Sequence, residues 1–132
     1  MEKIIWTDKF SVGHDKLDTQ HQVIIDLINK LIDQKENFER DAVRAIISDL
    51  VKYGLDHLKY EENLLQDKAF DDLVKHRHEH FLYVQQATRY MKDTDKVDLK
   101  RLEEITEFLQ RWWTLHILEE DMKYVDCLQA QA

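Results

Sequence analysis

Histidine and carboxylate side chains recur along this sequence at spacings that place two metal ligands on one face of a helix. His57 and Glu61 are four residues apart, and so are His76 and His80. Residues at positions i and i+4 lie one above the other on a helix, so each pair points two donor atoms in one direction. Imidazole and carboxylate are ligands for ions such as zinc and iron. The two pairs therefore predict a metal site built from at least two helices.

Two further histidines, His21 and His116, lie on the apolar faces of two other segments with helical periodicity. In total, five of the seven histidines fall on apolar faces, and each predicted helix contributes at least one. A single buried imidazole is usually satisfied by a local hydrogen bond, because leaving it unpaired costs about 1–3 kcal/mol. Five imidazoles directed at one interior would need five separate networks. One shared metal site satisfies them all, and we therefore predict a common metal centre.

The last predicted helix carries three acidic residues shortly after His116, and periodicity alone does not choose between them. At about 100° per residue, Glu120 lies about 40° from His116 and Asp121 about 140° away. This angle slightly favours Glu120. Asp121, however, lies in the same row as Trp113 and Tyr124, which is also predicted to be buried. Both carboxylates remain candidates on these grounds.

The segments that carry these residues are predicted to be four amphipathic helices, because apolar residues recur in them at steps of three and four. The inward stripes are Leu17, His21, Ile24, Ile28 and Leu31; Val43, Ile47, Leu50, Gly54, His57, Glu61 and Leu64 or Leu65; Leu73, His76, His80, Val84, Ala87 and Met91; and Leu102, Ile105, Leu109, Trp112 and His116, with the adjacent row Trp113, Ile117, Asp121, Tyr124 and Leu128. Asp18 and Asp41 are the predicted N-caps of the first two helices.

The connections between the four stripes are short, and short connections make neighbouring helices antiparallel. Proline is absent and there are only two glycines, so a chain of many tight turns and short strands is disfavoured. The predicted fold is all-α, an up-down-up-down four-helix bundle. We expect a single domain over residues 1–132, with residues 1–16 as an N-terminal arm that lies over the bundle.

The charge and composition argue against several kinds of partner. The formal net charge of −8 disfavours nucleic acid and anionic membrane surfaces, since both select clustered Lys and Arg. No segment approaches the roughly 20 apolar residues of a membrane span, and the first ten residues lack the pattern of a secretory signal. We therefore expect a cytoplasmic protein. Cys127 is the only cysteine, so no internal disulfide can form and a metal site must use histidine and carboxylate.

Four segments that contain the candidate ligands resemble the hemerythrin family, and in particular its single-domain bacterial members, the bacteriohemerythrins. These segments are Val12–His21, His57–Glu62, His76–Phe81 and Trp112–Asp121. The family pattern is a single histidine followed in order by HxxxE, HxxxH and HxxxxD, and this pattern selects Asp121 over Glu120. Together the matching segments span almost the whole chain.

The resemblance implies a non-haem di-iron centre whose irons cycle between Fe2+ and Fe3+. By this resemblance, one iron would be held by His76, His80 and His116, and the other by His21 and His57. Glu61 and Asp121 would bridge the two irons, with an oxo or hydroxo group as a third bridge. The second iron has one imidazole fewer, so one position would stay open for O2.

The implied function is reversible oxygen binding for transport, storage or delivery, without enzymatic turnover. Molecular oxygen would be the ligand, and an oxygen-accepting protein would be the partner. The resemblance places Trp112, Trp113 and Ile117 in the wall of the oxygen pocket. The family usually has Trp-Leu where this chain has Trp112-Trp113, so the larger Trp113 is expected to narrow access or to change the rate of autoxidation.

Other functions would use the same ligands. An oxygen or redox sensor needs an output surface, and we expect no attached signalling domain in a chain of 132 residues. A di-iron enzyme that consumes peroxide or nitric oxide would turn over with an electron donor. Ferritin-like di-iron proteins use about four Glu and two Glu-x-x-His pairs, whereas the set here is rich in neutral imidazole and favours a carrier. Iron storage is disfavoured because no acidic nucleation surface is evident.

The remaining polar residues near the ligands have simpler interpretations. We expect His14 and His78 to face solvent or to be satisfied locally, and Glu62 and Glu120 to be solvated neighbours of ligands. Gly54 has two explanations that stay open: it permits close helix approach, or it is a tolerated glycine that costs ~1 kcal/mol of helix stability.

Overall fold

Four long helices form the body of the protein in a computed structural model that describes residues 2–130. They are α1 (Asp15–Asp33), α2 (Arg40–Asp67), α3 (Leu73–Lys92) and α4 (Leu99–Leu115). Helix α4 is followed without a break by a π-helical turn (His116–Glu120), a 3-10 turn (Asp121–Tyr124) and the short helix α5 (Val125–Gln129). Further 3-10 turns lie at Asp8–Phe10 and Thr94–Lys96, and residues 2–130 contain no strand. The all-α four-helix prediction is confirmed.

The predicted apolar stripes of α1, α2 and α4 form the core. Helix α1 packs against α2 and α4, and α2 also packs against α3. Leu17, Ile28 and Leu102 are fully buried, and between the two candidates at the end of α2 it is Leu65 that is fully buried. Burial of apolar surface in this core supplies the main driving force that holds the helices together.

The predicted inward side chains of α3 are less buried than the periodicity indicates. Leu73, Val84 and Met91 are only half-buried, whereas Tyr83, which the predicted stripe omits, is buried. Tyr83 packs against Trp112 of α4, with ring centroids 4.2 Å apart. Large aromatic rings therefore fill the space between α3 and α4.

The predicted caps of the first two helices are wrong. Helix α1 begins at Asp15, and its N-cap is His14, whose Nδ1 accepts a hydrogen bond from the Leu17 N–H at 3.2 Å. Asp18 lies one turn inside the helix, where it accepts hydrogen bonds from the preceding segment instead. Helix α2 begins after Glu39, which makes no side-chain cap, and Asp41 lies in its first turn. There the carboxylate interacts favourably with the positive end of the helix dipole.

The segment before α1 lies along the bundle and is tied to it by polar contacts. The Asn29 side chain exchanges two hydrogen bonds of 2.8 Å with the backbone of Ile4. Asp18 accepts from the Ser11 hydroxyl at 2.6 Å and from the Val12 N–H at 2.9 Å. Because α1 begins at Asp15, this arm ends two residues earlier than predicted. The domain limits of 1–132 stay a prediction.

Gly54 lies opposite Trp113 and Tyr83, and the space there permits a methyl group. A Cβ at Gly54 would lie 3.5 Å from Trp113 Cζ2 and 3.8 Å from the Tyr83 hydroxyl, both ordinary van der Waals distances. Gly54→Ala is therefore expected to raise the free energy of unfolding by about 0.5–1 kcal/mol, since alanine favours the helix. Denaturant unfolding of the iron-loaded variant and of the unaltered protein measures this difference.

Gly13→Ala provides the contrast for this measurement. Gly13 has a φ of +74°, in the left-handed region that L-residues adopt at a cost of about 1–2 kcal/mol. The same experiment should therefore show Gly13→Ala to be less stable than the unaltered protein. A loss of stability in Gly54→Ala would instead mean that close helix approach requires the glycine.

Candidate metal centre

Seven buried polar side chains meet inside the bundle, and they are the seven that the sequence predicts as ligands. None is more than 4% exposed. Helices α1, α2 and α3 contribute to the set, and the segment that follows α4 supplies the rest. The seven are His21, His57, Glu61, His76, His80, His116 and Asp121.

The donor atoms form two groups that share one carboxylate. His76, His80 and His116, here called the three-histidine group, have ligand atoms within 4.8 Å of one another and of Glu61. His21 and His57, the two-histidine group, lie within the same distance of each other and of Glu61. Each group has the composition and spacing of donors around a single metal ion.

Glu61 directs one oxygen toward each group. Its Oε1 lies 2.6 Å from His76 Nε2 and 3.3 Å from His80 Nε2. Its Oε2 lies 3.5 Å from His57 Nε2 and 3.8 Å from His21 Nε2. The carboxylate thus has the position of a bridge between two sites.

Asp121 has the same relation to the two groups. Its Oδ1 lies 3.1 Å from His116 Nε2 and 3.3 Å from His76 Nε2, in the three-histidine group. Its Oδ2 lies 3.3 Å from His21 Nε2, in the two-histidine group. Two carboxylates therefore stand between the same two sets of imidazoles.

A π-helical turn brings Asp121 into the site. The backbone N–H of Asp121 donates to the carbonyl of His116, five residues earlier, instead of to the residue four earlier. The wider turn lets residues five apart point to the same side, which an α-helix does not allow. Asp121 is consequently fully buried, whereas Glu120 stays near the surface and pairs with Lys123 at 2.9 Å. Turns of this kind are frequent at functional sites.

Side chains behind the imidazoles hold two of them with a nitrogen lone pair directed inward. The Glu62 carboxylate accepts from Nδ1 of His80 at 2.8 Å, and Gln20 Oε1 accepts from Nδ1 of His57 at 2.7 Å. With the proton on Nδ1, the Nε2 atom of each ring is free to bind a metal. Glu62 is thus a positioning residue, and its predicted role as a solvated neighbour is wrong.

Several buried polar atoms at the centre have no hydrogen-bond partner among the described residues. They are both ring nitrogens of His21, Nε2 of His57 and both oxygens of Asp121. Unsatisfied buried groups each cost about 1–3 kcal/mol, more when they are charged. Cations in the centre would satisfy most of them together, so the residues fit a metal cluster.

The electrostatics of the centre support the same conclusion. Burial lowers the pKa of His57 to about 4, which favours the neutral imidazole needed for coordination. Burial also lowers the pKa of His21 and His76, but the Asp121 and Glu61 carboxylates outweigh it and raise these pKa values to about 9 and about 10. Burial raises the pKa of both carboxylates, yet the imidazoles hold each below its ordinary value. The buried negative charges of Glu61 and Asp121 are thus stabilised by positive charge beside them.

The three residues predicted to wall an oxygen pocket occupy different positions around the centre. Trp113 and Ile117 are fully buried, and the Trp113 ring lies 5.8 Å from the His57 ring. Trp112 is half-buried and stacks on His116, with ring centroids 4.3 Å apart and an angle of 13° between the planes. Trp113 therefore lies at the two-histidine group, and Trp112 at the three-histidine group.

Four contributors to the site are not among the predicted ligands or pocket residues. Gln20 and Glu62 orient imidazoles. Their only signal in the sequence is adjacency to a predicted ligand, because Gln20 precedes His21 and Glu62 follows Glu61. Tyr124 donates from its hydroxyl to Glu61 Oε2 at 3.0 Å, and its place on a buried row was visible. Tyr83 accepts a hydrogen bond of 2.9 Å from Trp113 Nε1. His14 and His78, by contrast, are a helix cap and an exposed side chain, as expected.

Comparisons with a family model and with known proteins all match the same family. The family model described as Hemerythrin HHE cation binding domain matches residues 12–128. The bacteriohemerythrin of Pseudomonas aeruginosa is 29% identical over 133 residues, covering 98% of this chain and 84% of that protein. The bacteriohemerythrin of Methylococcus capsulatus is 29% identical over 131 residues, covering 98% of this chain and 100% of its own.

A solved structure agrees with these relatives. The crystal structure of a wild-type hemerythrin superposes with a TM-score of 0.86 at 28% identity, and the match covers 96% of this chain and 98% of that one. The buried HxxxE, HxxxH and HxxxxD residues described above lie within the matched region. This chain belongs to the hemerythrin family.

Proposed function

We propose that the chain binds molecular oxygen reversibly at a non-haem di-iron centre inside the bundle, for transport, storage or delivery. The observation that carries this proposal is the pair of carboxylates, Glu61 and Asp121, each with one oxygen toward each histidine group. The proposed ligands of one iron are His76, His80 and His116, those of the other are His21 and His57, and the shared ligands are Glu61, Asp121 and an oxo or hydroxo group.

Iron suits this donor set better than zinc. Zinc sites in proteins are usually closed by four ligands in a tetrahedron. Here two carboxylates are shared by two groups of imidazoles, and the imidazoles number three on one side and two on the other. The three-histidine group thus offers five protein ligands, one more than a closed zinc site uses, and shares two of them with the neighbouring group.

The unequal number of imidazoles leaves the two-histidine group with one protein ligand fewer. When bound there, a di-iron centre supplies the electrons and the free coordination position that reversible oxygen binding needs. Trp113 and Ile117 are both fully buried, and the apolar Trp113 ring beside His57 excludes bulk water from that side. The hydrogen bond from Trp113 Nε1 to Tyr83 fixes the indole ring in one orientation. We assign the pocket wall to Trp113 and Ile117.

We propose a carrier rather than an enzyme. Five neutral imidazoles and two carboxylates stabilise highly oxidised iron less than the carboxylate-rich sets of ferritin-like di-iron proteins do. The buried, apolar Trp113 beside His57 is suited to a small neutral ligand. No helix within residues 2–130 has an apolar stretch that could cross a bilayer. A cytoplasmic location and an oxygen-accepting protein partner remain predictions from the sequence.

An oxygen cycle on the purified protein tests this function. The iron-loaded, reduced protein should contain two irons per chain, change its visible absorption spectrum on exposure to oxygen, and return to the starting spectrum under argon. Most of the bound oxygen should be recovered in the gas phase. Elemental analysis gives the metal content, and an oxygen electrode gives the recovery.

Two outcomes would contradict the proposal. A single metal per chain, or full occupancy by zinc despite an iron supply, would contradict the di-iron assignment. Irreversible consumption of oxygen in the first exposure, followed by sustained turnover when a reductant is present, would identify an enzyme. A slow loss of the reduced form over many minutes is compatible with a carrier, since oxygen carriers of this type autoxidise.

A further inference from the structure

An open cleft of about 640 Å³ lies between α3 and α4, and His116 of the three-histidine group forms part of its inner wall. The apolar residues that line it are Leu82, Tyr90, Phe108, Trp112 and Leu115. Leu82 is 50% exposed and Leu115 is 48% exposed, although both are large apolar side chains. Apolar surface gathered in a groove with a polar rim is typical of a surface that contacts another molecule.

The rim of this cleft carries an excess of acidic residues. Its charged residues are Glu79, Glu104, Glu107, Glu119 and Glu120 and a single cation, Arg111. Their formal charge is −4, but Arg101 and Lys123 lie beside the cleft and pair with Glu104 and Glu120, each at 2.9 Å, so the rim together with these two cations carries −2. Arg111 itself pairs with Glu107 at 3.2 Å. A positively charged protein surface would complement this rim, and complementary charge accelerates and orients docking.

One aromatic ring connects the cleft to the metal centre. Trp112 lines the cleft, is half-buried, and stacks on the His116 imidazole at 4.3 Å between centroids. His116 Nε2 in turn lies 3.1 Å from Asp121 and 3.0 Å from His80 Nε2. Only two stacked rings, the Trp112 indole and the His116 imidazole, therefore separate the solvent in the cleft from the donor atoms of the metal centre.

We propose that this cleft docks a basic electron-donor protein and that Trp112 and His116 form the route by which electrons reach the centre. The proposal rests on the di-iron function, because oxygen binds to reduced iron and an oxidised carrier must be reduced again. Each docked donor gives up one electron and is itself oxidised, so two donors restore the two electrons that oxidation of both irons removes. No bond forms or breaks in the cleft.

The charge of the cleft distinguishes this occupant from two others. A second copy of the chain would carry a net charge of −8 to a rim of the same sign and would be repelled. A small soluble reductant would leave most of the apolar surface of the cleft, including the half-exposed Leu82 and Leu115, in contact with water. A basic protein that buries apolar surface uses both features.

Zinc-substituted cytochrome c is a suitable probe, because it is a basic protein whose photoexcited state donates one electron. Calorimetric titration in the dark measures its association with the oxidised, iron-loaded protein, and this readout does not depend on oxygen binding. Flash photolysis then measures the rate of electron transfer within the complex. Iron content and the oxygen cycle are determined first, so that failure of the di-iron function is recognised separately.

Two sets of variants separate docking from electron transfer. Glu104→Gln/Glu107→Gln should weaken association about tenfold at low ionic strength and leave the rate within the complex unchanged. Asp33→Asn/Asp41→Asn is the matched control, since both residues are exposed and each pairs with a cation, Lys3 and Arg44, as Glu104 and Glu107 pair with Arg101 and Arg111. It removes the same charge elsewhere and should change association less than about twofold.

Trp112→Phe tests the route. Phenylalanine keeps the apolar floor but shortens the ring that contacts His116, so association should be largely retained while the rate within the complex falls at least tenfold. Equal weakening by the rim and control pairs would show that only net charge matters and would overturn the docking site. An unchanged rate in Trp112→Phe, at unaltered iron content, would overturn the route.

Discussion

Asp121→Asn is expected to destroy the di-iron centre, with loss of at least one iron per chain and of reversible oxygen binding. The substitution keeps the size of the side chain but removes a fully buried negative charge. It also replaces one of the two oxygens that lie 3.1–3.3 Å from His116, His76 and His21 by an amide nitrogen that cannot bind a cation. The expected loss of iron affinity exceeds the roughly 10–100-fold that changes behind the ligands typically cause.

Glu120→Gln is the matched control, because it removes the same charge one residue earlier. Glu120 lies near the surface, and its ion pair with Lys123 is solvent-exposed and contributes little. Iron content, the oxygen cycle and the far-ultraviolet circular dichroism should therefore match the unaltered protein. If both variants kept two irons and a normal oxygen cycle, Asp121 would not be a shared ligand and the family motif would have misled us.

His57→Ala is expected to abolish reversible oxygen binding at the second iron. His57 is one of only two imidazoles in the two-histidine group, so its removal leaves a single one. The vacated space is buried between Trp113 and Gln20, and neither the indole N–H nor the amide NH2 group can replace the imidazole as a metal ligand. Iron analysis should show fewer than two irons per chain, and the spectral change on oxygenation should be lost.

His78→Ala is the control for this variant, since His78 is exposed and is absent from both histidine groups. It should retain two irons and a complete oxygen cycle. Imidazole added to His57→Ala should restore part of the iron content, because the deleted ring leaves a cavity of its own shape. Full oxygen binding by His57→Ala without imidazole would remove His57 from the centre and place the oxygen site elsewhere.

The contacts around the centre also explain why the imidazoles hold their orientation. Glu62 and Gln20 accept from the outer nitrogens of His80 and His57, and Tyr124 donates to Glu61. Partners behind metal ligands fix the tautomer and the ring direction before the metal arrives. The bundle therefore builds a prearranged donor set, although the seven proposed ligands come from widely separated parts of the chain.

Much of this protein follows from its sequence because the relevant patterns are local. Steps of three and four residues determine which side of each helix is buried, so Leu17, Ile28 and Leu102 were placed correctly in the core. The same rule places His57 beside Glu61 and His76 beside His80, since residues four apart share a helix face. Short polar connections then make the helices antiparallel, which is enough to direct all four stripes at one interior.

Other features of the site and the core cannot be predicted from the periodicity of a single helix. The π-helical turn buries Asp121 among the histidines and leaves Glu120 near the surface, which a calculation with 100° per residue cannot anticipate. The shallow stripe of α3 and the burial of Tyr83 follow from large rings on α4 that fill the space between the two helices. Likewise, Glu62 became a partner of His80 because a neighbouring helix presents an imidazole to it. Local spacing thus determined which side chains face inward, and only the packing of helix against helix decided which atoms meet there.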